Sequence, residues 1–266
     1  MEIKRNLRWV PFLFFLYRDV KRFLKIYLQT IFIPLMTQAL YLIIFGVSLG
    51  KVVQISDQFS YLQFIIPGLI SMTAINQAFQ NGSSSIFVMK ITGEIIDIKS
   101  TALSVPQIVL GVGLSGFLRG GIVSLLTLGI GEIFHYFYQG FFFPVAHIYW
   151  LLGFICLSSF SFAMIGLSIG VVSKTFDQVG AISGFVIIPL IYLGGVFFDL
   201  EKLSVFWQNV SVFNPLFYFV NGIRYSFLGV SDTPLMQSFV VSIASVGIAF
   251  LIACKSVSRG SFKRTS

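Results

Sequence analysis

Ile148-Tyr-Trp-Leu-Leu-Gly-Phe-Ile-Cys-Leu-Ser-Ser-Phe-Ser-Phe-Ala-Met-Ile-Gly-Leu-Ser-Ile-Gly-Val-Val172 runs for 25 residues without an Asp, Glu, Lys or Arg. A helix rising about 1.5 Å per residue needs about 20 mostly apolar residues to cross the hydrocarbon of a bilayer. The run is continuous and does not alternate apolar with polar, which excludes a membrane β-barrel strand. Five further stretches meet the same test: Ile26–Leu49, Tyr61–Phe87, Gln107–Gly131, Val179–Phe198 and Gln237–Cys254. The second carries Asn76, Gln77, Gln80, Asn81 and Ser83–Ser85 in its lower half. Amides at that depth must face other helices or a wet cavity.

The composition agrees with this reading. The chain is 56% hydrophobic and 11% charged, with 31 Phe and 24 Gly, and its mean hydropathy is +0.89. Soluble domains average about a quarter charged residues and under half apolar. The fold class is therefore an all-α membrane protein with six transmembrane helices. No repeat at solenoid periods and no soluble insert interrupts it, so residues 1–266 are read as a single domain. Within it, 1–25 form an interfacial helix, 26–254 the spans and 255–266 a polar tail. The first apolar run is too long and too late for a cleaved signal peptide, and no small-residue cleavage pattern follows it. Cys156 and Cys254 both lie in apolar runs, where cysteine acts as a small hydrophobe, so neither a disulfide framework nor a zinc site is expected.

Ahead of the first span, Trp9, Phe12, Leu13, Leu16, Val20, Phe23 and Leu24 recur at helical spacing, with Arg18, Lys21, Arg22 and Lys25 on the opposite face and Pro11 near the start. A basic amphipathic helix of this kind lies in the membrane interface, although the same pattern also suits packing on a soluble partner. Between spans two and three, Ile91, Ile95, Ile96 and Ile98 accompany Lys90, Glu94, Asp97 and Lys99. They spell a short amphipathic helix parallel to the membrane, suited to a groove in a soluble partner or to a plain connection on the bilayer. Val210–Leu228 is apolar but broken at Asn214–Pro215 and carries Arg224, which reads as a pair of short or re-entrant helices.

Placing both termini in the cytoplasm puts fourteen Lys and Arg on that side and three (Lys51, Lys202 and Arg224) on the other, with Arg119 inside span three. The positive-inside rule selects that orientation. The basic balance therefore reports topology and anionic lipid, not nucleic acid.

Chemistry-bearing motifs are scarce. Gly46-Val-Ser-Leu-Gly50-Lys51-Val52 has the wrong spacing and lacks the final Ser/Thr of a phosphate-cradling loop. His135 and His147 flank an aromatic loop that reads as an interfacial belt. None of the ten acidic residues falls near the middle of a span, against a proton-driven carrier. The spans supply neither paired carboxylates nor a Ser/His arrangement for an intramembrane enzyme. Arg119, among glycines 111, 113, 116, 120 and 121, is the one ionisable group deep in a span. It either ties helices together through carbonyls or a carboxylate, or contacts an anionic substrate or lipid.

These pieces together resemble the permease subunits of type-2 ABC exporters, small inner-membrane proteins near the nodulation-factor exporter type. The matching residues are Tyr61-Leu-Gln-Phe-Ile-Ile-Pro67-Gly68-Leu69-Ile70 and Tyr192-Leu-Gly194-Gly195-Val-Phe197-Phe198. Leu200, Leu203, Phe206-Trp207, Asn214-Pro215, Tyr218, Arg224 and Phe227-Leu228-Gly229 continue the second motif. Where relatives commonly carry Glu/Asp-Leu-Leu and then Ala-Pro, this chain has Ile95-Ile-Asp-Ile-Lys-Ser-Thr-Ala-Leu-Ser104.

The resemblance implies a coupling helix for a cytoplasmic ABC ATPase at Ile91, Glu94, Ile95, Asp97, Ile98 and Lys99. It further implies an outer re-entrant gate at Trp207, Asn214, Pro215 and Arg224. ATP and Mg would sit on two ATPase copies and no cofactor on this chain, and a second permease copy would complete a homodimer. The expected function is ATP-driven export of an amphipathic, lipid-linked or drug-like substrate across a bacterial inner membrane. An ATP-independent carrier or channel is the alternative.

Overall fold

A computed structural model describes residues 2–49, 59–100 and 103–260 of the chain. The side chains of residues 2–8, 47, 49, 97, 99, 100 and 201 lie outside the described residues, as do Lys51 and the tail from 261 onward. Asp97 and Lys99 of the expected coupling helix therefore have a described backbone only.

Among the described residues there are six helices long and apolar enough to cross a membrane. The chain runs as α1 (Glu2–Lys25), α2 (Leu28–Gly46), α3 (Tyr61–Thr92), α4 (Glu94–Ser100), α5 (Val105–Gln139), α6 (Ile148–Val172), α7 (Phe176–Leu193), α8 (Val205–Phe213), α9 (Pro215–Leu228) and α10 (Leu235–Arg259). The spans are α2, α3, α5, α6, α7 and α10. At one end of the bundle lie α1, α4, the start of α7 and the last turns of α3 and α10. At the other end lie α8, α9 and the loops on either side of them.

Helix α3 is the axis. Its most apolar stretch is 89% buried, against 17% for those of α2, α7 and α10, and it packs on both α5 and α6. Its start is fixed by a reciprocal cap: Gln63 N donates to Ser60 Oγ at 3.3 Å, and Ser60 N donates to Gln63 Oε1 at 2.9 Å. Its polar lower half can be buried because α6 approaches closely there. Gly82 faces the Ala163 carbonyl and Gly166 faces the Phe79 carbonyl, with no room for a Cβ at either. Small residues of this kind let membrane helices pack backbone to backbone. At its end the chain turns through Gly93, whose φ of +81° is open to glycine at little cost, and α4 sets off in a new direction.

Four expectations need correction. Spans two and three are longer than their apolar cores suggest, running to Thr92 and Gln139. Span five ends at Leu193, not Phe198, because the chain turns at Gly194-Gly195. Pro11 lies inside α1 rather than near its start.

The fourth is the facing of α1. Phe12, Phe15, Asp19 and Phe23 are buried, whereas Trp9, Leu13, Phe14, Tyr17 and Leu24 are exposed. Arg22 turns into the bundle instead of away from it. The cause is Asp19, which finds hydrogen-bond donors on α3 and α5 and rotates the helix to reach them.

Candidate functional site

Two clusters of buried polar groups stand out, one at each end of the bundle. The first lies at the α1 end. Ser85 Oγ donates to Asp19 Oδ1 at 2.5 Å, Ser115 Oγ donates to Oδ2, and Arg22 Nε donates to Oδ1 at 3.0 Å. Arg22 reaches on to Ser84 Oγ at 3.2 Å and Asn81 Oδ1 at 3.3 Å, and Asn81 Nδ2 donates to Ser115 Oγ at 2.8 Å. A carboxylate that is 1% exposed is thus satisfied on both oxygens, as buried charge requires. One turn deeper on α5, Arg119 Nη2 and Nε donate to Gln77 Oε1 at 2.8 and 3.2 Å. Arg119 therefore ties α5 to α3 through a side-chain carbonyl.

The same end carries α4. Ile95 and Ile98 are buried in a hydrophobic cluster with Phe15, Met89 and Val257, whereas Ile91 and Ile96 are exposed. Ile91 belongs to the last turn of α3, not to the short helix. Glu94, the first residue of α4, pairs with Arg18 of α1 at 2.7 Å. That pair is half-exposed and worth little energetically, but it marks where α1 and α4 touch. In sequence, Lys90 stands with the polar residues of the loop between spans two and three. It is instead buried, donating to Val171 O at 3.0 Å and Ser173 O at 2.8 Å, where a cation suits the C-terminal end of α6.

The second cluster, at the opposite end, is built on Arg224. Its guanidinium lies 3.9 Å from the centroid of the Phe64 ring, donates to the Gly195 carbonyl, and pairs with Asp232 at 3.3 Å. Asn214 Nδ2 donates to Leu190 O at 2.6 Å while its Oδ1 caps Leu216 N at 3.1 Å, so Asn214-Pro215 fastens the start of α9 to the end of α7. Asn221 extends the tie to the start of α10 through Thr233 Oγ1 and Ser238 Oγ, both at 2.9 Å. Trp207 stands apart, half-exposed on α8 beside Phe206. Of the four expected gate residues, Asn214 and Pro215 start α9 against Leu190, Arg224 stands about three turns farther along α9 at the Gly194-Gly195 turn, and Trp207 lies on α8.

His135 is fully buried with Nδ1 at 2.8 Å from Phe141 O, and His147 stacks on Tyr225. Tyr136, Phe137, Tyr138, Phe142 and Tyr149 around them are exposed, as an aromatic belt would be.

Asp19 is the residue that reading the sequence missed. Its signal is its spacing: Phe12, Phe15, Asp19 and Phe23 all fall on one helical face, so the carboxylate sits in the apolar stripe.

Comparison with known proteins places this arrangement. The chain is 36% identical over 257 residues to the inner membrane transport permease YadH of Escherichia coli (strain K12), covering 96% of this chain and 97% of that protein. It is 25% identical over 220 residues to nodulation protein J of Rhizobium leguminosarum bv. viciae, covering 80% and 81% of the two chains. Nodulation protein J of Azorhizobium caulinodans matches at the same identity over 220 residues. The profile of the ABC-2 type transporter family matches residues 11–228, from the middle of α1 to the last residue of α9. Both polar clusters have their centres inside that match, and the chain belongs to the ABC-2 type transporter family as its membrane-spanning domain.

Proposed function

We propose that this chain is the permease subunit of an ATP-driven exporter in a bacterial inner membrane, paired with a second copy of itself and served by two copies of a separate cytoplasmic ATPase. The family match over residues 11–228 carries the reading. The likeness to YadH, an inner membrane transport permease, supports the membrane assignment. In this reading ATP and Mg are held by the ATPase, and this chain contributes no catalytic group. ATP binding supplies the differential free energy that shifts the paired permeases between inward- and outward-open states. The cargo is amphipathic, lipid-linked or drug-like.

The α1 end faces the cytoplasm and α4 receives the ATPase. What supports this is the Lys and Arg bias and the way Gly93 sets α4 apart from α3 at that end. Because Ile95 and Ile98 are buried and Ile96 is exposed, the docking contact falls on Ile96 and Glu94. Ile96→Asp is expected to reduce co-purification of the ATPase at least tenfold while leaving the permease monodisperse. Ile95→Asp is expected to destabilise the permease itself. Undiminished ATPase recovery with Ile96→Asp would sink the docking assignment.

Orientation has its own test. With Cys156 and Cys254 replaced by Ser, Val205→Cys at the exposed start of α8 should react with a membrane-impermeant maleimide added to the periplasmic side. Phe176→Cys should react only after the inner membrane is opened. The reverse pattern would invert the topology.

A further inference from the structure

At the α1 end, α1, α2, α3, α5 and α7 line an open cavity of about 600 Å³. Its polar side is formed by Arg22, Gln80, Ser84 and Arg119, and α7 supplies an apolar wall through Phe176 and Ile188. Arg119 is 5% exposed, yet no carboxylate pairs with it among the described residues. Its Nε and Nη2 donate to Gln77 Oε1, and Nη2 also reaches Gln80 Oε1 at 3.5 Å, while Nη1 has no hydrogen-bond partner there. The acid that could have neutralised it, Asp19, is taken up by Arg22, Ser85 and Ser115. The cluster of Arg22, Arg119 and Asp19 therefore carries one surplus positive charge at the edge of an amphipathic space. Burying a cation without its anion is costly, and the cost is offset when a ligand brings the anion.

We propose that this cavity binds the phosphate headgroup of an amphiphile, with Arg119 as the contacting cation. A guanidinium presents a fork of donors that matches phosphate oxygens. The Gln80 amide nitrogen, without a hydrogen bond among the described residues, adds a further donor. The Phe176 and Ile188 wall takes the start of the apolar tail. Bilayer phospholipid and a lipid-linked phosphate cargo share this headgroup chemistry. The proposal rests on the permease reading in taking the cavity as part of a transport pathway.

The test uses the full chain in phosphatidylcholine nanodiscs. Retention of dioleoyl phosphatidic acid is compared with that of dioleoylglycerol, and retention of farnesyl phosphate with that of farnesol, by native mass spectrometry. The unaltered protein is expected to hold each phosphate at least tenfold better than its alcohol. Whichever phosphate is held more tightly identifies the source, bilayer lipid or isoprenoid-linked cargo. Arg119→Gln should abolish the preference.

Gly184→Phe should do the same. Gly184 lines the cavity and a Cβ there meets nothing within 4 Å, so the ring fills the space without disturbing the Arg119–Gln77 bond. Equal retention of phosphate and alcohol, or a preference that survives both substitutions, would overturn the proposal. ATPase co-purification, read on the same samples, reports on the permease reading alone. Phosphate binding that fails while the ATPase still associates removes only this site.

Discussion

Gly82→Ala should leave little monodisperse protein after mild detergent extraction, whereas Gly153→Ala should behave as the unaltered chain. The added Cβ at position 82 would stand 1.9 Å from the Ala163 carbonyl oxygen and 2.8 Å from its carbon. Both atoms belong to the backbone of α6, so no rotamer change relieves the contact. The helices would have to part by more than about 1 Å, and a close-packed interior transmits that strain along the whole interface. Ordinary overpacking costs about 1–3 kcal/mol, and a clash with helical backbone belongs above that range. Gly153 is the matched control, because nothing lies within 4 Å of a Cβ built there. Replacing it should be neutral or slightly stabilising, since alanine restricts the unfolded chain more than glycine does. The readout is the monodisperse fraction by fluorescence-detected size exclusion. Equal recovery of both variants would mean that α3 and α6 slide apart at little cost.

The second large effect is expected at Arg224. Arg224→Met keeps an apolar stem but removes the guanidinium from Phe64, from Asp232 and from the Gly195 carbonyl. Removing one member of a buried pair typically costs about 3–5 kcal/mol. Asp232 is 17% exposed, so water compensates it in part and the lower half of that range applies. Asp232→Asn should cost less, because the amide oxygen still accepts from Arg224 and Gly195 still holds the fork. Arg224→Lys should fall between the two, retaining charge but losing the second donor and the flat stacking surface. Thermal unfolding in detergent, followed by tryptophan fluorescence, ranks the three. A midpoint for Arg224→Met indistinguishable from that of Asp232→Asn would show that the hub is not held by this arginine.

The hub explains how a cationic residue can sit in an otherwise apolar helix. The Gly194-Gly195 turn ends α7 five residues before the apolar pattern does, and that early end exposes the Gly195 carbonyl to Arg224. Asn214 binds α7 at Leu190, while farther along α9 Asn221 binds the start of α10 and Arg224 the Gly194-Gly195 turn, so α9 is tied to its neighbours near both of its ends. In sequence, Asn214-Pro215 and Arg224 were legible as a break and a costly charge. Their partners at 190, 195 and 232 were not, because each lies on another element and no local spacing points to it.

The α1 end teaches the same lesson from a different residue. The periodicity of Trp9, Phe12, Leu13, Leu16, Val20 and Phe23 established a helix, and its basic face suggested how it lies. A hydrophobic stripe says only which residues prefer to leave water, and on this helix nearly every side offers some. Asp19 decided the rotation, since a buried carboxylate must find donors and Ser85, Ser115 and Arg22 supply them. The coupling-helix candidates divide likewise: Ile95 and Ile98 face the bundle and Ile96 faces out, a distinction that four isoleucines in nine residues cannot express on their own.

What the sequence determined by itself is the set of properties fixed by hydrocarbon acting on the chain locally. These are six spans long enough to cross, the break before the last span, the short amphipathic helix between spans two and three, and the family. Each follows from residue type and near spacing, because a spanning helix satisfies its backbone within itself. What only the tertiary structure decided is which polar groups meet: Asp19 with the serines of α3 and α5, Lys90 with the end of α6, Arg224 with Gly195, and Arg119 beside a cavity with no acid paired to it among the described residues. Those pairings depend on the packing of helices far apart in sequence, and the low dielectric of the interior makes each of them matter.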